Sequence, residues 1–229
     1  MQRTLEELIK RIFNFMGLEI RKCKKNLLKL SNDTGDFQLL FKKIRAYTLV
    51  DQDRCFMLYQ FVGYANAKEG EMAEVGVYKG GTAKLISKVA AKTAKTVHIF
   101  DTFSGMPPTD ITKDRHKEGD FSDTSLDAVK KYLADCNNIR FNQGYFPDTA
   151  TSIIDLSFCF VHIDVDIYES VMESCKFFYP RLVKGGILIF DDYGFLSCPG
   201  AKMAVDEFFS GKSEYPCYLS TGQCFVIKL

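Results

Sequence analysis

Glu74-Val-Gly76-Val-Tyr-Lys-Gly80-Gly81-Thr82 is the stretch on which the fold turns. The short apolar run Glu71-Met-Ala-Glu-Val-Gly-Val77 leads into it, and a helical stretch over 83–94 leaves it. It therefore reads as a strand-to-helix junction. Glycines at such a junction let the backbone turn sharply and approach a ligand at the positive end of the following helix. The next short strand, Thr96-Val-His-Ile-Phe100, ends at Asp101, 25 positions after Gly76. A carboxylate at that point of an α/β sheet can accept both hydroxyls of a ribose.

A nicotinamide-binding domain wants the same acid, so loop and acid alone leave two readings. The spacing is not G-x-G-x-x-G, however, and an acid, Glu74, precedes the first glycine. A carboxylate there repels a pyrophosphate and suits a cation. S-adenosylmethionine, cationic and free of pyrophosphate, is the expected ligand.

Outward from this loop the pattern alternates. A helix is predicted over 51–65, with Asp51 or Asp53 near its start. Downstream come a helix over 125–135, strands over 139–143 and 156–163, a helix over 169–179 and a strand over 186–190. A helix near 201–210 and a last strand over 223–228 close the series. Strands alternating with helices imply right-handed βαβ units and a mostly parallel sheet. Spacing leaves the direction of the last strand open. The polar stretch 102–125 is too long for a simple connection and reads as a functional lid.

Two strand ends concentrate acid. Phe160-Val-His-Ile-Asp164-Val-Asp166-Ile-Tyr-Glu169 closes one, and Gly186-Ile-Leu-Ile-Phe-Asp191-Asp192-Tyr closes the next. Asp191 follows Asp164 by 27 positions, enough for one crossover helix, so both ends face the same crevice. Aspartates gathered there repel one another unless a cation intervenes. Hard oxygen ligands favour Mg²⁺ or Ca²⁺, and Mn²⁺ also fits. Asp164 and Asp166 share a strand face if the strand runs that far. Asp166, three residues before Glu169, also reads as a helix cap. A strand ending D-x-D with a later strand ending D-D also occurs in haloacid-dehalogenase-type phosphatases. Those need a phosphate-holding Ser/Thr and a Lys on separate segments between the two strands, for which the spacing leaves no room.

Together these stretches resemble the macrocin O-methyltransferase family, enzymes that methylate sugar hydroxyls using S-adenosylmethionine and Mg²⁺. Asp101-Thr-Phe-Ser-Gly-Met-Pro107, Gly185-Gly and Ala204-Val-Asp-Glu-Phe208 carry the resemblance alongside the glycine loop and the acidic strand ends, over about residues 45–229. The resemblance implies a class I methyltransferase-like Rossmann sheet over 66–229, and the helices read from the pattern before it make an N-terminal helical appendage over 1–65, whose first 40 residues carry no resemblance. It implies that Asp164, Asp191 and Asp192 bind the metal and that Asp166 is the general base. Glu74, Gly76, Tyr78, Gly80, Thr82, Asp101 and Thr102 would hold the methyl donor, with Ser122 near its adenine. The acceptor would be a small-molecule hydroxyl, of a sugar or another polyhydroxylated compound. A catechol-type enzyme and a cofactor-binding partner protein without turnover are the alternatives, and a homodimer is expected.

The remaining signals are bland. Of 229 residues 46% are hydrophobic and 26% charged, with a net charge of +1, which gives no pull toward nucleic acid or anionic membranes. Eight cysteines without a C-x-x-C pair argue against a zinc cluster and for a reducing compartment. No apolar run approaches the roughly 20 residues that span a bilayer. Glu6 and Glu7, with no small-residue cleavage site, do not fit a signal peptide, so a cytoplasmic protein is expected. A helix over 4–20, capped by Thr4 and Glu7, is predicted. The first 30 residues carry eight Lys/Arg against three Asp/Glu, a solvated basic face. His98 is expected in the core, His116 in solvent on the lid, and His162 beside the acidic strand ends.

Overall fold

The computed structural model describes residues 30–229; the helix expected over 4–20, its cap and Cys23 lie outside them. Three helices come first, α1 (Leu30–Asp33), α2 (Gly35–Ile44) and α3 (Gln52–Ala65). Asp51 caps α3: its carboxylate accepts the backbone N–H groups of Asp53 and Arg54, each at 3.0 Å. The sheet unit follows as β1 (Glu71–Val75), α4 (Gly81–Ala90), β2 (Val97–Asp101), α5 (Leu126–Tyr132) and β3 (Ile139–Gln143). It continues with β4 (Phe158–Ile163), α6 (Tyr168–Phe178), β5 (Leu182–Phe190) and α7 (Pro199–Phe209). A two-residue β6 (Cys217–Tyr218) and β7 (Cys224–Ile227) end it.

All seven strands form one sheet in the order β3-β2-β1-β4-β5-β7-β6. β1 to β5 run parallel, whereas β7 lies antiparallel to β5 and β6 antiparallel to β7. The order reverses between β1 and β4, which is where an open α/β sheet parts to admit a ligand.

Both faces of the sheet are covered, so the central strands are apolar on both sides. Met72, Ile99, Ile187 and Ile189 pack toward α2, α3 and α4, and Ala73, Phe100, Leu188 and Phe190 pack toward α6 and α7. A register shift between Phe158 and Phe160 puts Cys159 and Phe160 on the same side. Boundaries differ from expectation where no apolar pattern marks them. β5 begins four residues early because Val183-Lys-Gly-Gly186 is held by backbone pairing, with Gly185 N–H donating to Lys228 O at 2.7 Å. α4 ends at Ala90 and passes into a 3₁₀ turn over Ala91–Thr93.

Among the described residues no helix is long and apolar enough to cross a membrane. Their seven cysteines are all free thiols.

Candidate active site

The hydrogen-bond ladder runs one residue past the central strands. Gly76 N–H donates to Phe100 O at 2.9 Å, Asp164 N–H to Val75 O at 2.9 Å, and Asp191 N–H to Ile163 O at 3.0 Å. These bonds set Gly76, Asp164 and Asp191 in one row along the carboxyl edge. Gly76 holds φ at +87°, and a Cβ there would stand 1.7 Å from Asp164 O, so only glycine fits. Above this row opens a cavity of about 310 Å³, within the range of small-molecule sites.

Five of the residues assigned to the methyl donor line it: Gly76, Tyr78, Thr82, Asp101 and Thr102. Asp101 also builds the loop. Its Oδ2 accepts the N–H groups of Val77 and Tyr78 at 2.7 and 2.9 Å, and its Oδ1 accepts that of Phe103 at 2.6 Å. An ionised carboxylate has about four acceptor positions, which leaves room for a ligand hydroxyl. Three assigned residues stand outside the lining. Gly80, at φ +88°, caps α4 and is pressed against Val129 and Leu133 of α5. Ser122 is exposed. Glu74 is wholly buried beneath the loop, where its Oε1 meets His162 Nδ1 at 2.9 Å.

The acidic strand ends do meet. One carboxylate oxygen each from Asp164, Asp191 and Asp192 lies within 4.8 Å of the others. Burial and then the Asp191 charge push Asp164 well above the usual carboxylate range. Burial and then Asp166 do the same to Asp192. Asp191 goes the other way: burial would raise it, but His162 and Arg54 overcome burial and hold it low. His162, also fully buried, is raised to about 10. Burial opposes its charge, yet Asp191 and Glu74 on either side outweigh that. Arg54 and His162 therefore do not satisfy Asp164 and Asp192, and the three aspartates form a set of hard oxygen donors that fits a divalent cation.

Asp166 is not placed by strand alternation. β4 stops at Ile163, and Asp166 sits in a left-handed turn at φ +59°, its N–H donating to Asp192 Oδ2 at 3.0 Å. Nor does it cap α6. The N–H of Tyr168 is taken by Asp114 Oδ1 at 2.8 Å, reaching in from the lid. Asp166 Oδ1 instead faces His116 Nε2 at 3.6 Å and accepts the Cys198 thiol at 3.3 Å.

His116, expected in solvent, therefore lines the cavity. Its Nδ1 meets Asp120 Oδ2 at 3.2 Å and its ring packs against Phe121. Arg54, Asp114 and Cys198 carried no local signal. Arg54 heads α3 yet donates to Asp191 Oδ2, 137 positions away, while its guanidinium lies over the Phe195 ring.

The macrocin-O-methyltransferase (TylF) family model matches residues 25–213. Demethyldecarbamoylnovobiocin O-methyltransferase of Streptomyces niveus is 29% identical over 182 residues, 71% of this chain and 68% of that one. Mycinamicin III 3''-O-methyltransferase of Micromonospora griseorubida is 29% identical over 181 residues, 71% of this chain and 70% of the relative. The solved O-methyltransferase NovP has a TM-score of 0.70 at 24% identity, over 80% of this chain and 82% of its own. The calicheamicin methyltransferase CalS11 has 0.64 at 14%, over 91% and 97%. With these two structures the likeness is one of fold.

Proposed function

Because this chain belongs to the macrocin-O-methyltransferase family and is an O-methyltransferase, we propose that it methylates a sugar or polyhydroxylated small molecule with a divalent ion at Asp164, Asp191 and Asp192. The observation that carries this reading is the convergence of three carboxylates beside a cavity whose other wall is the glycine loop. The relatives named for O-methylating demethyldecarbamoylnovobiocin and mycinamicin III support a small-molecule hydroxyl acceptor.

S-adenosylmethionine would supply a methyl group activated by its sulfonium, and the ion would supply Lewis-acid stabilisation of a deprotonated hydroxyl. Gly76, Tyr78, Asp101 and Thr102 shape the donor's side of the cavity, and the acidic cluster favours a cationic donor. Transfer to the acceptor oxygen would release the donor's demethylated thioether, and Asp166 Oδ1 takes the hydroxyl proton. Burial, ahead of any other influence, lifts Asp166 above the usual carboxylate range, toward the working range of a base at neutral pH. Holding acceptor oxygen and methyl carbon in line is the larger part of the task.

The test uses labelled S-adenosylmethionine with a panel of glycosylated and catechol acceptors, in excess EDTA or in Mg²⁺. Transfer to a sugar hydroxyl that needs Mg²⁺ is expected. Transfer to catechols alone would move the assignment to the catechol-type reading, and full activity in EDTA would remove the metal.

A further inference from the structure

The cavity holds a second group of ligand atoms, of different chemistry from the three aspartates. His116 Nε2, Asp166 Oδ1 and Cys198 Sγ lie within 4.8 Å of one another. Their separations are 3.6 Å from His116 to Asp166, 3.3 Å from Cys198 to Asp166 and 3.7 Å from Cys198 to His116. Zinc bonds of about 2.0 Å to nitrogen or oxygen and about 2.3 Å to sulfur place neighbouring ligands of a tetrahedron roughly 3.3–3.6 Å apart. The three atoms already form one face of such a tetrahedron. They come from three separate segments, the lid, the turn after β4 and the residue before α7, so no local spacing brings them together.

Two further features support a metal over a plain hydrogen-bond cluster. His116 Nδ1 is held by Asp120 Oδ2 at 3.2 Å. With the proton on Nδ1, the Nε2 lone pair faces Asp166 and Cys198, the carboxylate–histidine arrangement that orients zinc ligands. All three residues also line the cavity, which leaves the fourth vertex to water. Mixed nitrogen, sulfur and oxygen donors select a softer ion than Mg²⁺.

We propose that His116, Asp166 and Cys198 form a Zn²⁺ site, separate from the three-aspartate site, and that its occupation inhibits methyl transfer. Binding releases the Cys198 thiol proton to solvent, since the coordinating sulfur is a thiolate. The inhibitory half rests on the proposed role of Asp166: a carboxylate bound to Zn²⁺ does not accept the acceptor's proton.

Co²⁺ titrated into the full chain in place of Zn²⁺ reads the site directly, without acceptor or turnover. A near-ultraviolet thiolate-to-Co²⁺ absorption with tetrahedral visible bands is expected, abolished by added Zn²⁺ and missing from Cys198→Ser. Asp120→Asn, on the lid, should weaken Co²⁺ about 10–100-fold while leaving every ligand in place. No thiolate band in the wild type, or an unchanged band in Cys198→Ser, overturns the site. In Mg²⁺-supported turnover, added Zn²⁺ should inhibit the wild type at least 10-fold more strongly than Cys198→Ser. Equal sensitivity overturns the inhibitory role. An enzyme that binds Co²⁺ through Cys198 but transfers no methyl group in Mg²⁺ alone would instead refute the proposed reaction and leave the metal site standing.

Discussion

Asp166 occupies the left-handed region at φ +59°, which costs most residues energy but is tolerated by Asp and Asn. Its side chain meets Cys198 and His116, which line the cavity, and Asp114 makes the helix-capping bond at Tyr168 N. Base and cap are therefore held by different residues and can be tested apart. Asp166→Asn should keep the melting temperature within a few degrees while kcat falls about 10²–10⁴-fold, the usual contribution of a positioned base. Asp114→Ala should cost about 0.5–2 kcal/mol of stability through loss of the cap. Calorimetry and single-turnover rates on both variants decide the matter: an unstable but active Asp166→Asn would return the cap to Asp166. The residues found from sequence and those missed differ in one physical respect. Asp164, Asp191 and Asp192 end consecutive parallel strands, and a single crossover must bring such ends to one edge. Arg54, His116 and Cys198 reach the same cavity through contacts between segments 137, 82 and 32 positions apart, which no periodicity encodes.

At the scale of elements, one carboxylate, that of Asp114, ties the lid to the helices behind it. Asp114 Oδ1 sits against the start of α7 as well as α6, so a Cβ on Gly200 would approach it to 2.0 Å. Gly200→Ala should expel Asp114 and loosen the lid, raising KM for donor and acceptor together; unchanged KM values would mean that the lid is held elsewhere. The last strands are fastened by Glu214, which accepts from Tyr179 OH at 2.6 Å and pairs with Lys228 Nζ at 3.0 Å. The Tyr179 bond first, and Lys228 with it against the cost of burial, lower its pKa to about 2. A carboxylate depressed in the folded state stabilises fully above its unfolded value of about 4.3 and loses that contribution as pH falls through the folded value. Glu214→Gln should thus be less stable by about 1.5–3 kcal/mol at pH 7, the range for hydrogen bonds to a charged group. The gap should close between pH 4.5 and 2; denaturant midpoints that stay parallel over that window would remove the linkage. The alternation of the sheet was legible because buried parallel strands are continuous apolar runs. The direction of β7 was not: it depends on pairing with β5 and on tethers such as Glu214, and β6 is too short to carry a pattern.

For the molecule as a whole, a net charge of +1 conceals a concentration of acid at the switch point between β1 and β4. Two ionised carboxylates no more than 4.8 Å apart, at an effective dielectric of about 20, repel by on the order of 3 kcal/mol. Arg54 and His162 pair with Asp191, and their weaker pull on Asp164 does not offset its burial and its acidic neighbours. That repulsion opposes folding, and a divalent ion relieves it, so metal affinity and stability are linked. At 100 times its Kd a ligand of the native state adds about 2.7 kcal/mol. Mg²⁺ should therefore raise the melting temperature by several degrees, and EDTA should reverse the rise and abolish turnover. Asp192→Asn separates attraction for the ion from repulsion between the acids. In EDTA it should be more stable than the wild type, since one repelling charge is gone, whereas in Mg²⁺ it should gain little and turn over slowly. Melting curves of both proteins with EDTA and with Mg²⁺ form the complete square. If Mg²⁺ stabilises Asp192→Asn as much as the wild type, the ion binds elsewhere. If Asp192→Asn is the less stable protein in EDTA, the aspartates are not repelling one another, and the acidic edge of the sheet has another cause.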